Sequence, residues 1–301
     1  MTPMVRPSRH TTRTAVAALV FLGAAALSPL HAQVVERFGA DPFVGRGRHV
    51  FFAEGDVASR FTYLSGEPSH FPADRKGTLR VVYDTTLPTA RLSTRIGRVL
   101  ALDANFEFGA ILTIHSDGFF ADPNGFSQIA FGLWNEATTG LQRTSFPSDS
   151  FDLVEFDYFP NITSFGGPFL SPSVFGGNVG DNAFFNFAFQ SSQVDLPLDT
   201  PLLVRCRYRA ASRLLDVTVS RHAHAFMFEP IPGASVSVDV SRINPTFLLN
   251  VAGIAAYFEG YPSIHAVVDY DLLYVGALPV PWGVIKRMNP PVGEAPTGRL
   301  R

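Results

Sequence analysis

Apolar and polar residues alternate with a period of two along most of the chain. The longest run extends from Phe106 to Ile114, and further runs begin at Leu215 and Val236. Successive side chains of a β-strand point to opposite faces, so this alternation predicts strands with one face in a core. Short clusters of Gly, Pro, Asn and Asp separate the runs, as is typical of turns. The apolar positions that set the period are Phe106, Phe108, Ala110, Leu112, Ile114, Leu215, Val217, Val219, Val236, Val238 and Val240.

The order of these runs predicts how some strands pair. Leu202–Tyr208 and Leu214–Ser220 flank a short polar turn, which predicts an antiparallel hairpin. Phe247–Phe258 and Ile264–Val275 predict a second long pair that ends the domain. The pattern predicts no long amphipathic helix. Many short strands without helices indicate an all-β fold, an antiparallel β-sandwich or jelly roll.

Composition and charge narrow the class of protein. Hydrophobic residues make up 46% of the chain, charged residues 17%, and Phe alone occurs 28 times, which indicates a folded globule. The net charge is −2 and there is no basic stripe, which argues against nucleic acid as a partner. The single cysteine, Cys206, cannot form an intramolecular disulfide. It lies on the apolar side of its run, which predicts a buried structural thiol.

The N-terminal segment has the three-part pattern of a secretory signal peptide. Arginines precede the apolar run Ala15–Leu27, and the small residue Ala32 is a suitable last residue before cleavage. The run is shorter than the ~20 residues that a membrane-spanning helix needs, and no later segment is long and apolar enough. We therefore expect a secreted protein, extracellular or periplasmic, with no membrane span after cleavage.

These features divide the chain into three parts. Residues 1–32 are expected to be the signal peptide and residues 33–275 one β-sandwich domain. Residues 276–301 are rich in Pro and Gly and predict a loosely structured C-terminal tail.

The segment most informative about function is Val154–Asn161, which reads Val-Glu-Phe-Asp-Tyr-Phe-Pro-Asn. On a strand, Glu155 and Asp157 share a face and lie only about 7 Å apart. Like charges at that distance repel unless a cation, a shared proton or a substrate compensates them. The sequence therefore predicts that something holds this acid pair.

This segment resembles the metal-site strand of legume (L-type) lectins, members of the concanavalin A-like lectin and glucanase superfamily. The resemblance implies a concanavalin A-like jelly roll. It also implies metal ligands at Glu155 and Asp157, and calcium bound by Asp157, the carbonyl of Phe159 and Asn161. Oxygen ligands of this kind suit a hard cation.

A second segment, Ala121–Phe131, is similar to a sugar-binding loop and strand of the same lectins. The resemblance implies that Asp122 contacts the sugar, together with Asn161 and the backbone at Gly140. It covers roughly the chain from Phe106 to Val275, although only the eight residues at Val154–Asn161 are specific. A secreted carbohydrate-binding protein is the function that it implies.

The sequence departs from the lectin pattern beyond Asn161. The lectins add an Asp about five residues later and then a His, whereas here the next acidic residue is Asp181. Glu155, Asp157 and Asn161 are a small shell for calcium, which takes about six to eight oxygens. Asp181, the neighbouring Asn182 and water are the ligands left to complete it. The alternative is that the acid pair is solvated or hydrogen-bonded at the rim of the sheet.

Two further functions stay open. Family-16 glycoside hydrolases, which share the fold, carry Glu-x-Asp followed by a second Glu, and Glu155 and Asp157 match the first two acids. Phe159 and Pro160 stand where the acid/base is needed, so the pattern argues against catalysis without excluding it. The other form of a polysaccharide-cleaving enzyme is a lyase, which would need a base, for which the available histidines are His115, His222, His224 and His265.

A purely structural envelope module is the remaining alternative.

Overall fold

A computed structural model gives the fold of most of the chain. The expected signal peptide and, apart from Gly276, the expected tail lie outside the described residues. Those residues are 34–45, 47–68, 76–117, 127–141, 152–160, 166–176, 187–224, 227–243, 248–258 and 265–276.

The described residues are almost entirely β-strand. A 3-10 turn at Pro42–Val44 and one α-helical turn, α1 at Val57–Arg60, are the helical elements among them. Within the same residues, no helix is both long and apolar enough to cross a membrane. The strands are β1 Val34–Glu36, β2 Phe51–Gly55, β3 Phe61–Pro68, β4 Lys76–Asp84, β5 Ala90–Ala101, β6 Phe106–His115, β7 Ile129–Trp134, β8 Leu153–Phe159, β9 Phe169–Leu170, β10 Ser173–Phe175, β11 Phe187–Phe189, β12 Ser192–Gln193, β13 Leu202–Arg209, β14 Leu214–His224, β15 Met227–Asp239, β16 Leu248–Ala256 and β17 His265–Val275.

The strands form two antiparallel sheets. The eight-stranded sheet has the order β15-β14-β13-β6-β17-β4-β3, with β1 added beside β17. The nine-stranded sheet has the order β11-β10-β8-β7-β16-β5-β2, with β9 added beside β8 and β12 beside β9. Consecutive strands often belong to different sheets, so the chain crosses repeatedly between them.

The two sheets share one core, which confirms the predicted β-sandwich. Buried side chains from both sheets belong to a single hydrophobic cluster. Phe131 of β7 meets Phe108 of β6 and Tyr270 of β17 edge-on, each with ring centroids 6.2 Å apart. The hydroxyl of Tyr83 donates to the carbonyl of Ala130 across the core at 3.2 Å and lies 2.6 Å from the hydroxyl of Tyr270. Burial raises the pKa of both tyrosines, so both stay neutral.

The hairpin predicted around residue 211 is confirmed. β13 and β14 pair antiparallel, with Cys206 opposite Val217, and from Val204 onward buried and exposed residues alternate along β13. Cys206 is fully buried in the core, as expected for a structural thiol. Burial raises the pKa of this thiol well above its ordinary value, which keeps the sulfur in its less reactive protonated form.

The second predicted pair is wrong. β16 pairs with β5 and β7 in the nine-stranded sheet, whereas β17 pairs with β4 and β6 in the eight-stranded sheet. The chain therefore crosses from one sheet to the other between these strands. Alternation identifies the buried face of each strand, but it does not identify the neighbour to which that strand bonds.

Candidate functional site

The acid pair lies on β8, with both side chains on the face turned away from the core. Val154, Phe156 and Tyr158 point into the shared core, so Glu155 and Asp157 point to the outer face of the nine-stranded sheet. Glu155 is 0% exposed and Asp157 is 2% exposed. The two acids are therefore buried on the outer face and are not solvated.

Asp157 accepts hydrogen bonds at both of its carboxylate oxygens. The side-chain amide of Gln128 lies 2.5 Å from Oδ1, and the hydroxyl of Ser173 lies 2.5 Å from Oδ2. Gln128 comes directly before β7 and Ser173 begins β10, so the donors reach Asp157 from the two strands that flank β8. Both donors are themselves buried. Such short bonds to an ionised group are among the stronger hydrogen bonds in proteins.

Glu155 is held from the other side. The hydroxyl of Tyr257, which follows β16, donates to Oε1 of Glu155 at 2.7 Å. The strand between them, β7, places Gly132 opposite Glu155 and Ala130 opposite Asp157. Neither residue has a bulky side chain on the outer face of β7. The side chains of Glu155 and Tyr257 can therefore reach each other across this strand.

Tyr257 is fixed at its backbone. Its carbonyl accepts a hydrogen bond of 3.2 Å from the guanidinium of Arg60, which is 1% exposed. The same guanidinium donates to the carbonyls of Val82, Leu87 and Pro88. The amide of the next residue, Phe258, donates to Thr89 Oγ1 at 3.0 Å.

Gly140 is held over the outer face by another buried arginine. Arg91 of β5 donates to the carbonyl of Gly140 and to that of Thr139, each at 3.2 Å. It also donates to the carboxylate of Glu54 at 2.9 Å, and its guanidinium carbon lies 5.2 Å from the centre of the Trp134 ring. The predicted sugar-contact residue Gly140 is thus part of a pinned segment, and its carbonyl is already engaged.

This segment, residues 135–141, crosses the outer face. It begins where the amide of Asn135 donates to the carbonyl of Asp152 at 3.0 Å, at the Trp134 end of β7. It ends with Leu141 beside Gly55 of β2, which pairs with Ala90 at the opposite end of the sheet. We call residues 135–141 the crossing segment. It brings Gly140 toward the set of laterally paired strand residues that includes Asp157.

The other two predicted sugar contacts, Asp122 and Asn161, lie outside the described residues. Ile129, at the start of β7, pairs with Tyr158, close to the end of β8. The described residues that flank both segments, Ser127 and Pro160, therefore lie at one end of the nine-stranded sheet.

The predicted metal ligands are brought together only in part. Glu155 and Asp157 share a face, and the Phe159 side chain is stacked on Phe169 with ring centroids 4.8 Å apart. Among the described residues there is no group of three or more His, Cys, Asp or Glu side chains that could hold a metal ion. Hydrogen-bond donors lie against both oxygens of Asp157 and against Oε1 of Glu155. The described residues by themselves do not fit a calcium site, which takes about six to eight oxygens.

A separate polar cluster lies on the outer face of the eight-stranded sheet. Asp269 accepts from Arg80 Nε at 2.7 Å and lies 2.8 Å from Nε2 of His115. The hydrogen bond to Asp269 outweighs desolvation and raises the pKa of His115. Burial opposes ionisation of Asp269, but the bonds from Arg80 and His115 together lower its pKa. His115 is thus committed to an ion-pair cluster, which gives no support to its role as a lyase base.

Sequence reasoning missed the residues that hold the site. Tyr257, Ser173, Arg60 and Arg91 are remote from β8 in the chain, and nothing local marks them. Gln128 carried a weak signal: it is the polar residue directly before the apolar run of β7, and it shares the parity of Ala130 and Gly132, which face outward.

Comparison with known proteins gives similarity at the level of structure. The sequence matches no family model, and no curated protein matches it. The structure resembles a legume lectin-like domain from Entamoeba histolytica, with 12% identity over 82% of this chain and 97% of that one and a TM-score of 0.48. It also resembles winged bean acidic lectin in complex with methyl-α-D-galactose, with 15% identity over 76% and 99% and a TM-score of 0.44.

A third similar structure is a carbohydrate esterase from the Shiga toxin-encoding bacteriophage phi24B, with 10% identity over 82% and 99% and a TM-score of 0.47. Similarities at such low sequence identity concern the architecture alone and do not identify a ligand or a reaction.

Proposed function

We propose that this chain is a carbohydrate-binding protein of the lectin type. The observation that supports the proposal is that Ser127 and Pro160, which flank two of the predicted sugar-contact segments, lie at one end of the nine-stranded sheet. These two segments contain Asp122 and Asn161, and the crossing segment brings Gly140 toward the same end. Sugar sites need a few fixed polar groups beside an apolar or aromatic surface.

Each residue has a proposed role. The carboxylate of Asp122 accepts hydrogen bonds from sugar hydroxyls, and the side-chain amide of Asn161 both donates and accepts. The backbone amide of Gly140 is a further donor, since its carbonyl is taken by Arg91. Glu155 and Asp157 have a structural role and do not touch the sugar, because both are buried.

A glycan array is the first test, and calorimetry with the strongest binder follows. Asp122→Ala and Asn161→Ala should each weaken binding about tenfold or more, the loss expected when a buried polar contact is removed. Asp103→Ala is the matched control, because Asp103 is exposed beyond the opposite end of β5 and should leave affinity unchanged. A wild-type chain that binds no glycan, or variants that bind as well as the wild type, would remove the proposal.

Calcium is a separate part of this test. The resemblance implies it at Asp157, Phe159 and Asn161, whereas the described contacts of Asp157 are hydrogen bonds. The array is therefore read with CaCl2 and with EDTA. Equal binding in both shows that no cation takes part, and binding in CaCl2 alone shows that one does.

We further propose that the chain is exported and that residues 1–32 are removed. The support is the basic, apolar and small-residue pattern at the N-terminus. Expression of the full chain in a bacterium should yield an exported protein whose intact mass is that of a chain beginning at Gln33. Retention of the full-length mass in the cytoplasm would contradict this.

A further inference from the structure

We infer that the acid pair is held by the protein's own hydrogen-bond donors, so that this sandwich folds and keeps its site without a bound cation. The inference concerns what compensates the charges of Glu155 and Asp157. It can be tested whether or not a sugar binds.

Compensation is needed because two acids two positions apart on a strand are buried together. Their Cα atoms lie about 7 Å apart, and burial strengthens repulsion between like charges. A buried carboxylate also loses its hydration, which is costly unless hydrogen bonds replace the water. At 0% and 2% exposure, bulk water does not solvate Glu155 and Asp157.

The groups that Gln128 and Ser173 turn toward Asp157 act as hydrogen-bond donors. An ionised carboxylate only accepts hydrogen bonds, so the amide of Gln128 must present its NH2 group to Oδ1. An amide NH2 does not bind a hard cation such as calcium. The hydroxyl of Ser173 lies 2.5 Å from the other oxygen. Each oxygen of Asp157 therefore already accepts a hydrogen bond from a buried side chain of the protein.

Glu155 has a donor that is separate from those of Asp157. Its Oε1 bonds to Tyr257, which approaches from the β16 side, whereas Ser173 reaches Asp157 from the β10 side. A shared metal requires both carboxylates to converge on one point. Each carboxylate instead has protein donors of its own, Tyr257 for Glu155 and both Gln128 and Ser173 for Asp157.

The backbone of Tyr257 is also engaged. Arg60, which is 1% exposed, donates to its carbonyl, so this oxygen is occupied and the phenol is fixed in position. Three donors therefore compensate the acid pair in the way that a cation otherwise would: Tyr257, Gln128 and Ser173.

The test combines metal content with thermal stability of the mature chain. Mass spectrometry of the purified protein should find well below one equivalent of calcium or manganese. The midpoint of thermal unfolding should agree within about 1 °C in EDTA and in millimolar CaCl2 or MnCl2, since a ligand stabilises only a protein that binds it. One equivalent of metal, or a midpoint more than about 5 °C lower in EDTA, would overturn the inference.

A double-mutant cycle tests the donors directly. Tyr257→Phe and Glu155→Gln should each lower the midpoint, and the double variant should lose less than the sum, since the two groups share one bond. Ser173→Ala paired with Glu155→Gln is the control cycle, because Ser173 bonds to Asp157. Additive losses in the first cycle would contradict the role of Tyr257. If a variant fails to fold, the metal measurements on the wild type still decide.

Failure of this inference is distinguishable from failure of the proposed function. A chain that binds glycan only in CaCl2 is a lectin with a cation site, whereas a metal-free, stable chain that binds no glycan confirms the inference alone.

Discussion

The hydroxyl of Tyr257 donates a hydrogen bond of 2.7 Å to Oε1 of Glu155, although 102 positions separate the two residues in the chain. Neither group is accessible enough to rely on water, since Tyr257 is 9% exposed and Glu155 is 0% exposed. The relationship explains how a carboxylate on β8 can be buried, and it makes Tyr257 part of the structure that supports the candidate site.

Replacing this tyrosine tests the relationship. Tyr257→Phe keeps the ring and removes the hydroxyl, which leaves Oε1 of Glu155 without this donor. We expect the free energy of unfolding to fall by about 1–3 kcal/mol, the usual cost of an unsatisfied buried polar group. Urea denaturation followed by circular dichroism measures it.

Tyr208→Phe is the matched control for that variant. The hydroxyl of Tyr208 is buried and donates to the carbonyl of Leu102 at 2.8 Å, which is a neutral acceptor. Its loss should be about 1 kcal/mol, less than for a bond to a charged group. Wild-type stability in Tyr257→Phe would show that the hydroxyl contributes nothing.

Arg91 should control the crossing segment. Arg91→Lys keeps the charge, but one ammonium cannot reproduce the fork that reaches the carbonyls of Thr139 and Gly140 together with Glu54. Amide hydrogens of residues 136–141 should exchange about tenfold faster, which corresponds to one lost hydrogen bond. Hydrogen exchange with mass spectrometry resolves this peptide.

Arg95→Lys controls for the chemistry of the change. Arg95 is also on β5 and pairs with Glu136 at 3.1 Å, but its side chain is 67% exposed, so the pair should contribute little. Exchange in residues 136–141 that responds equally to both variants would refute a specific role for Arg91.

Features of the fold and the site that depend on neighbouring residues in the chain could be predicted from the sequence, whereas those that depend on contacts between distant strands could not. The alternation in β8 was enough to place Glu155 and Asp157 on one face, because a strand fixes the direction of each side chain. The donors could not be predicted, since Tyr257 and Ser173 come from other strands whose neighbours the pattern does not specify. The error over β16 and β17 has the same origin.

Two of the predicted functional residues illustrate the limit further. The sugar contact at the backbone of Gly140 stays a prediction, and the structure adds that Arg91 holds the carbonyl of this residue. Nothing near Gly140 in the sequence indicates that arginine, because the contact spans 49 positions. Asp157, in contrast, was expected to be compensated by an external agent, whereas the described contacts are with the protein's own side chains.

Stability should depend on pH through His115. Its pKa is raised in the folded state, chiefly by the hydrogen bond to Asp269, with Arg80 opposing and Asp117 assisting. A base with a raised pKa stabilises the fold fully below its unfolded value of 6.5, and this contribution is lost as pH rises through the folded pKa. His115→Gln should therefore reduce the loss of stability on going from acidic to mildly alkaline pH. Urea denaturation at a series of pH values measures it.

His49 must be separated from this effect. Burial lowers the pKa of His49, so its contribution has the opposite sign: it is fully present above the unfolded value of 6.5 and is lost as pH falls through the folded pKa. The comparison is therefore best made in a His49→Asn background. Asp269, whose pKa is lowered, stabilises above its unfolded value of 3.8 and loses its contribution as pH falls through the folded pKa. An unchanged pH profile in His115→Gln would contradict the assignment.

Gly132 should not tolerate a side chain. A Cβ at this position would lie 2.2 Å from the carbonyl oxygen of Val154, which belongs to the neighbouring strand backbone and cannot move aside cheaply. Gly132→Ala should lower the free energy of unfolding by about 3 kcal/mol. Gly39→Ala is the control, because a Cβ there has no atom within 4 Å. Equal stability of the two variants would show that β7 and β8 can separate without loss.

The most direct test of the whole account is a glycan array probed with the EDTA-dialysed mature chain, in parallel with its Asp122→Ala and Asn161→Ala variants. The account predicts that the wild type binds at least one class of glycan without added calcium and that both variants lose this binding. A wild-type chain that binds glycan only after calcium is added, or that binds none at all, would contradict it.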